Sequence, residues 1–237
     1  MSKFFTNFVV GIMKPNTNDN MEKYDFTDVA ELKQFLLRQE TIDPQAQETF
    51  AYSGPNEMRG DFPVGKLGNQ AGGYPFEALG HLWKGTEFLY MIGRWSWEGE
   101  DALRIQQDVL SATSGFAVAR FKKIKFKKQS RPDFEEWRHE WMLWVVWQKC
   151  CGNADFRRLL LATGDALIVE VVKRDPVWAV HDDGSGKLVG ANGMGKVLML
   201  CRHALQTNTT PLIDTKRLNE AGIWILGKRL TVNGEKP

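Results

Sequence analysis

The sequence predicts a mainly α-helical domain, α+β in class, with a few short strands. Three observations carry this. Apolar residues at helical spacing dominate from residue 87 onward. Capping residues stand ahead of the helical stretches and glycines stand behind them. The β-branched signal is confined to short runs, of which Ala166 to Val172 is the clearest. At 237 residues the chain suits one large domain, or one domain with an appendage, against ~150 residues for a typical domain. That length can bury a sizeable core without a disulfide or metal staple.

The elements follow in order. Lys14 to Asn20 is polar and turn-rich. Asp28, with Glu31 three residues on, opens a helix from Val29 to Arg38, and Asp43-Pro44 ends it. Residues 1–50 read as an N-terminal appendage. Residues 51–80 hold Gly54-Pro55, Gly60, Pro63, Gly72-Gly73 and Pro75, and read as loops and short strands. Helices are expected over Glu87 to Trp97 and Asp101 to Ala112. Ser130, with Asp133 three residues on and Pro132 in the first turn, opens a third that runs to about Cys151. Gly152 closes it and Asn153 caps a fourth, ending at Gly164. The strand Ala166 to Val172 comes next, then a turn at Gly184 and Gly186, then a final core helix from Gly195 to Gln206.

Composition removes several function classes. The 43% hydrophobic and 25% charged content is globular, which excludes disorder along the whole chain and collagen-like architecture. A net charge of +2 excludes bulk, histone-like basicity. The apolar stretch Phe4 to Met13 is short, broken by Thr6 and Asn7, and lacks a small-residue cleavage site, so it is not read as a signal peptide. Trp141 to Trp147 is strictly apolar but far short of the ~20 residues of a membrane span. Three cysteines, Cys150, Cys151 and Cys201, suit a reducing compartment. A cytoplasmic protein with no membrane contact is expected. Nine Trp is a high count, which suits either a Trp-rich core or stacking on a planar ligand.

Three constellations bear on chemistry. Gly190 to Lys196 fits Gly-x4-Gly-Lys, but Val197 stands where a phosphate-binding loop needs Ser or Thr for magnesium, so a true P-loop is rejected. A turn of this kind before a helix either holds an anion or is a plain cap. Seven of the twelve residues Arg120 to Arg131 are basic, among them Lys122, Lys123, Lys125, Lys127 and Lys128, with Phe121 and Phe126 interleaved. Such a run is either a phosphate-neutralising patch or a solvated face. Glu87 and Asp175 each lie three or four residues from a tryptophan, Trp83 and Trp178. Glycoside cleavage needs a carboxylate beside a developing oxocarbenium ion, and a neighbouring indole can stack on a base. Such pairs equally serve as caps and turns. The four histidines show no ligand spacing, and no metal or cofactor is expected.

Six ordered segments resemble one family. Gly73 to Arg94, Ser114 to Arg120, Asp133 to Met142, Leu159 to Gly164 with Glu170 after it, Arg174 to Trp178, and Asn192 to Gly195 followed by Leu198-Met199 together resemble the NADAR (YbiA-like) family. The resemblance spans about residues 66–206. It implies a single YbiA-like domain over 51–206 and a C-terminal extension, 207–237, packed upon it. It also implies an N-glycosidase that hydrolyses a bond between ribose C1 and nitrogen. One branch of the family cleaves phosphoribosylated riboflavin-pathway intermediates, and another removes ADP-ribose from guanine in DNA, as an antitoxin.

By motif position Glu87 is the catalytic Glu and Asp175 the second acid. Asn69, Tyr90, Arg94, Arg120, Phe134, Trp178, Asn192 and Gly195 are expected to bind the ligand. Arg94 stands where the family usually has Lys, Phe134 where it often has Trp, and Ala179 where Gly follows the Trp. The basic run favours the ADP-ribosyl-guanine branch, with the five lysines contacting DNA. The alternatives are the riboflavin-intermediate branch and a module that binds ADP-ribose or nucleotide without turnover.

Overall fold

The computed structural model describes residues 22–121, 124–126 and 128–233. Among these the helices are α1 (Val29–Leu37), α2 (Thr86–Gly93), α3 (Glu100–Ser111), α4 (Gly115–Phe121), α5 (Phe134–Gly152), α6 (Ala154–Leu161), α7 (Gly193–Gln206) and α8 (Thr215–Glu220). The strands are β1 (Glu40–Ile42), β2 (Thr49–Tyr52), β3 (Phe76–Ala78), β4 (His81–Trp83), β5 (Leu167–Glu170), β6 (Val180–Asp182), β7 (Leu188–Gly190), β8 (Trp224–Ile225) and β9 (Lys228–Arg229). The class is α+β. The sheets are small: β1-β7-β6 antiparallel, β2 parallel to β5, and the two hairpins β3-β4 and β8-β9.

The centre of the molecule is α5. Trp137, Trp141, Leu143, Val145, Val146 and Cys150 are all fully buried along it. A helix apolar on nearly every side belongs in the middle of a domain. It packs on α2, α6, α7, α8 and β3. The tryptophan count is mostly a core property: Trp83, Trp95, Trp137, Trp141, Trp144 and Trp147 are all buried. Arg131, expected in the basic run, is instead a fastener at the start of α5. It donates to both Asp133 carboxylate oxygens and to Ser96 and Ala221. That pairing also moves the helix start: Asp133, not Ser130, is the cap residue, and its carboxylate serves Arg131 rather than the helix N–H groups.

Local signals set α1 and α6. The Asp28 Oδ1 accepts from the backbone N–H of Ala30 and Glu31, and the Asn153 Oδ1 accepts from that of Phe156. The described part of residues 1–50 is woven into the body. Glu40 to Ile42 pairs with Leu188 to Gly190, and Thr49 to Tyr52 pairs with Leu167 to Glu170. α1 lies on α7. The boundary expected at residue 50 is therefore no break in the fold. Nor is α7 the last helix, because α8 follows it and packs against α5. No helix of the described residues is long and apolar enough to cross a membrane.

Candidate active site

Glu87 lies in the first turn of α2 and is only 5% exposed. A carboxylate there faces the positive end of the helix dipole. Its side chain is held as well as placed. The Asn69 Nδ2 donates to Glu87 Oε2, the Asn69 carbonyl accepts from the Thr86 hydroxyl at 3.0 Å, and it also accepts from the Glu87 N–H at 3.3 Å. Asn69 thus clamps the start of α2 from the loop before β3. A cavity of about 110 Å³ opens beside this pair, lined by Asn69, Gln70, Lys84, Glu87, Phe88 and Ser114. That is room for about three waters at liquid volume.

A second group of candidate residues lies on β5 and the turn after it. Glu170 ends β5, in register with Tyr52 of β2. Its N–H points to Asn192 Oδ1 at 3.4 Å. Asp175 turns the chain: its Oδ1 accepts from the Val177 and Trp178 N–H groups at 3.2 and 2.9 Å. The Glu170 carboxyl is pushed up to about 8 from 4.5, first by burial and then by the charges of Asp175 and Glu87. Glu170 is therefore within electrostatic reach of both Glu87 and Asp175. Burial, with Glu170 adding, also raises the Tyr52 hydroxyl well above its ordinary value.

A third group is made of aromatic rings and one guanidinium. Trp178 packs edge-on to Tyr90 at 5.7 Å between centroids and lies tilted against His139 at 4.8 Å. Burial, then Arg138 and Lys33, lowers His139 to about 4, so the imidazole is neutral against the indole. Arg94 sits over the Phe134 ring at 4.4 Å and reaches Glu135 Oε1 at 3.0 Å. Tyr90 lies between the charges of Glu87 and Arg94, and burial raises its phenol.

A family model for the NADAR domain matches residues 62–206. This chain belongs to the NADAR family. It is 29% identical over 143 residues to a riboflavin biosynthesis protein of Vibrio vulnificus, covering 59% of this chain and 36% of that one. It is 27% identical over 132 residues to the N-glycosidase YbiA of Escherichia coli, covering 56% of this chain and 76% of that one. The chain therefore spans little more than a third of the Vibrio relative. The solved NMR structure of YbiA aligns with a TM-score of 0.53 at 24% identity, over 68% of this chain and 86% of that one, and shares its fold.

Within this NADAR chain the expected residues divide. Asn69, Glu87 and Tyr90 share α2 or the loop that clamps it, and Asp175 and Trp178 share the turn after β5. The contact of Tyr90 with Trp178 joins the two groups. Phe134 is fully buried, with Arg94 over its face, so it lies behind the site and supports Arg94 rather than offering a ring to a base. Asn192 is 0% exposed in the left-handed region, φ 51°, and donates to the Ile168 carbonyl at 2.9 Å. Gly195 lets α7 pass against β5, where any Cβ would collide with the Ile168 carbonyl and the Asn192 amide. Both residues are struts for β5 instead of an open anion cradle. Lys196 confirms this: it is buried, donating to the Arg38 carbonyl at 2.6 Å and lying 3.5 Å from Glu40.

Of the basic run, Arg120 and Lys128 are exposed, and Lys125 is paired with Asp108 at 2.8 Å. Lys122, Lys123 and Lys127 lie outside the described residues. Glu170, Tyr52 and His139 were not among the expected site residues. Glu170 follows the Leu-Leu-Ala-Thr-Gly segment, and that place was its only signal in the sequence. A larger cavity, about 440 Å³, lies at the other end of α7 around Met199, Arg202 and His203 and holds none of the site residues. Among the described residues no group of three or more His, Cys, Asp or Glu is placed to hold a metal ion.

Proposed function

We propose that this NADAR protein hydrolyses an N-glycosidic bond between ribose C1′ and nitrogen. The observation that carries the reading is Glu87: a buried carboxylate fixed by Asn69, beside a small cavity, on the helix whose Tyr90 packs against Trp178. A carboxylate in that setting stabilises an oxocarbenium-like transition state and takes a proton from the attacking water. Asp175 positions the ribose hydroxyls. Trp178 offers an indole edge to the base, and Arg94, poised on Phe134, meets a phosphate. The name of the YbiA relative supports the bond type.

Removal of ADP-ribose from guanine in DNA is the preferred substrate reading. Its support is topological. α4 begins at Gly115, on the Glu87 cavity, and ends beside the exposed Arg120. Five residues of helix put Arg120 about 8 Å from that cavity, close enough to guide a polyanion. The name of the Vibrio relative favours the second reading, a phosphoribosylated riboflavin intermediate. The test assays purified protein on an ADP-ribosylated guanine oligonucleotide and on the phosphoribosylated pyrimidine, with chromatographic detection of released ADP-ribose or ribose 5-phosphate. Glu87→Gln should lower the rate at least a hundredfold. Full turnover by that variant overturns the assignment. Nucleotide binding by the wild type without release marks a binding module.

A further inference from the structure

We propose that the cavity at the C-terminal end of α7 is a second ligand site, which takes the phosphate of a small organic phosphomonoester. The proposal does not depend on the hydrolytic reading above. Arg202 stands about 15 Å along α7 from Asn192, and the cavity shares no lining residue with the one beside Glu87. Its volume of about 440 Å³ lies in the range of small-molecule sites, against about 110 Å³ beside Glu87.

One face of α7 forms the floor. Met199, Arg202, His203 and Gln206 recur at helical spacing and line the cavity together. One wall comes from the short 3-10 helix Glu22–Tyr24. The other is the start of β2 and β5, where the Leu167 N–H donates to the Glu48 carbonyl at 2.9 Å. Arg202 carries the argument. It is 3% exposed, and its Nη1 donates to the Thr163 hydroxyl at 2.7 Å and to the Ala166 carbonyl at 2.8 Å. Both partners are neutral. Among the described residues no carboxylate lies within ion-pair distance of this guanidinium, and Asp165 acts on it only from farther off. Nε and Nη2 have no partner among the described residues and are not sealed from solvent. A buried cation held by neutral groups is costly, and an oxyanion that takes the open side of the fork removes that cost.

The neighbours fit the same ligand. His203 is buried beside Arg202, and its Nε2 has no hydrogen-bond partner. The Asp25 carboxylate stops 3.6 Å from it, on a side chain that is 78% exposed and can yield to a ligand oxygen. Of the lining acids, Glu48 is paired with Arg59 at 3.3 Å, which leaves Asp165 facing Arg202 and Lys23. The His203 carbonyl would repel an anion, but the Thr207 N–H and hydroxyl both cap it at 2.9 Å. Arg202 offers two donor nitrogens, Lys23 a third and His203 a fourth. That set suits the three terminal oxygens of a phosphomonoester better than the two of a carboxylate. The Tyr24 hydroxyl is turned onto the Met199 sulfur at 3.3 Å, so the ring, with Ala166 and Leu167, gives the organic body an apolar seat.

The test titrates the full chain at low salt with phenyl phosphate, and with phenylacetate as the carboxylate control. Binding is read by thermal shift and by 15N NMR of the imidazoles, the His203 signals being assigned by their loss in His203→Asn. Phenyl phosphate should bind with a Kd of about 1 mM or better, raise the melting temperature and move the His203 signals. Arg202→Lys keeps a cation but loses the fork, and should weaken binding about tenfold or more. Lys23→Glu should weaken it by about tenfold as well, and this exposed change leaves the ties of Arg202 to Thr163 and Ala166 intact, so its loss is not misfolding. Glu87→Gln should bind as wild type does. The proposal is overturned by a wild type that does not bind phenyl phosphate, by binding that Lys23→Glu leaves unchanged, or by binding that Glu87→Gln alters. Equal affinity for phenylacetate overturns it too.

Discussion

Lys149 offers the sharpest test of the packing argument. It lies in the last turn of α5, 1% exposed, with its ammonium 3.7 Å from the centre of the Phe156 ring and 5.5 Å from that of Tyr74. No carboxylate lies within ion-pair distance of it among the described residues. Burial lowers its pKa from 10.5 to about 7. Each pH unit of displacement is worth about 1.4 kcal/mol, so the folded state carries about 5 kcal/mol of penalty once both states are charged. The ring face returns about 2 kcal/mol of that when desolvated. The sign follows from proton counts. Between pH 7 and 10.5 the unfolded chain holds more protons than the folded one, so stability from this group rises with pH through that window. Lys149→Met keeps the length and removes the charge. It should stabilise the protein by about 3 kcal/mol at pH 6, and the gain should fade toward pH 10. Urea unfolding of both proteins at pH 6 and pH 10 measures it. A variant less stable than wild type at pH 6 would refute the reasoning, because it would mean that the charge itself holds the end of α5.

Two further outcomes follow from the site. Gly195→Ala forces a Cβ into the Ile168 carbonyl, a backbone atom with nowhere to go, and should cost about 3 kcal/mol or more in a thermal melt; a loss under 1 kcal/mol would show that α7 can slide along β5. Asn69→Ala removes the amide that holds Glu87 Oε2. Its rate on the preferred substrate should fall ten- to a hundredfold, with KM changed far less than kcat, while stability drops by about 2 kcal/mol, the worth of a hydrogen bond to a buried charge.

Part of this was legible because it is local. Asp28 and Asn153 each satisfy helix N–H groups two or three residues away, so the residue type alone locates α1 and α6. The strands β1, β6 and β7 are three residues each and exist through their partners. Glu40 opposes Gly190 across most of the chain, and no local pattern announces that. For the same reason residues 22–50 looked detachable and are not. Phe134 shows the converse failure. An aromatic at a motif position suggested stacking on a base, yet Arg94 already occupies its face.

The segment from Gly190 to Lys196 shows why the acids were harder to read than the helices. Its glycines and lysine resemble a loop shaped for phosphate, and every one of them is spent on the fold. Gly190 lies against Ala179, Gly195 lies against Ile168, and Lys196 is tied to Arg38 and Glu40. What the segment delivers is the position of β5, through the amide of Asn192, which accepts from Glu170 and donates to Ile168. The Glu170 carboxyl is raised to about 8 by burial and then by Asp175 and Glu87, which reach it only once the chain has folded. An acid kept protonated by burial and then by two neighbouring acids costs stability as pH rises from 4.5 through about 8. The surrounding core of α5 and α7 absorbs that cost.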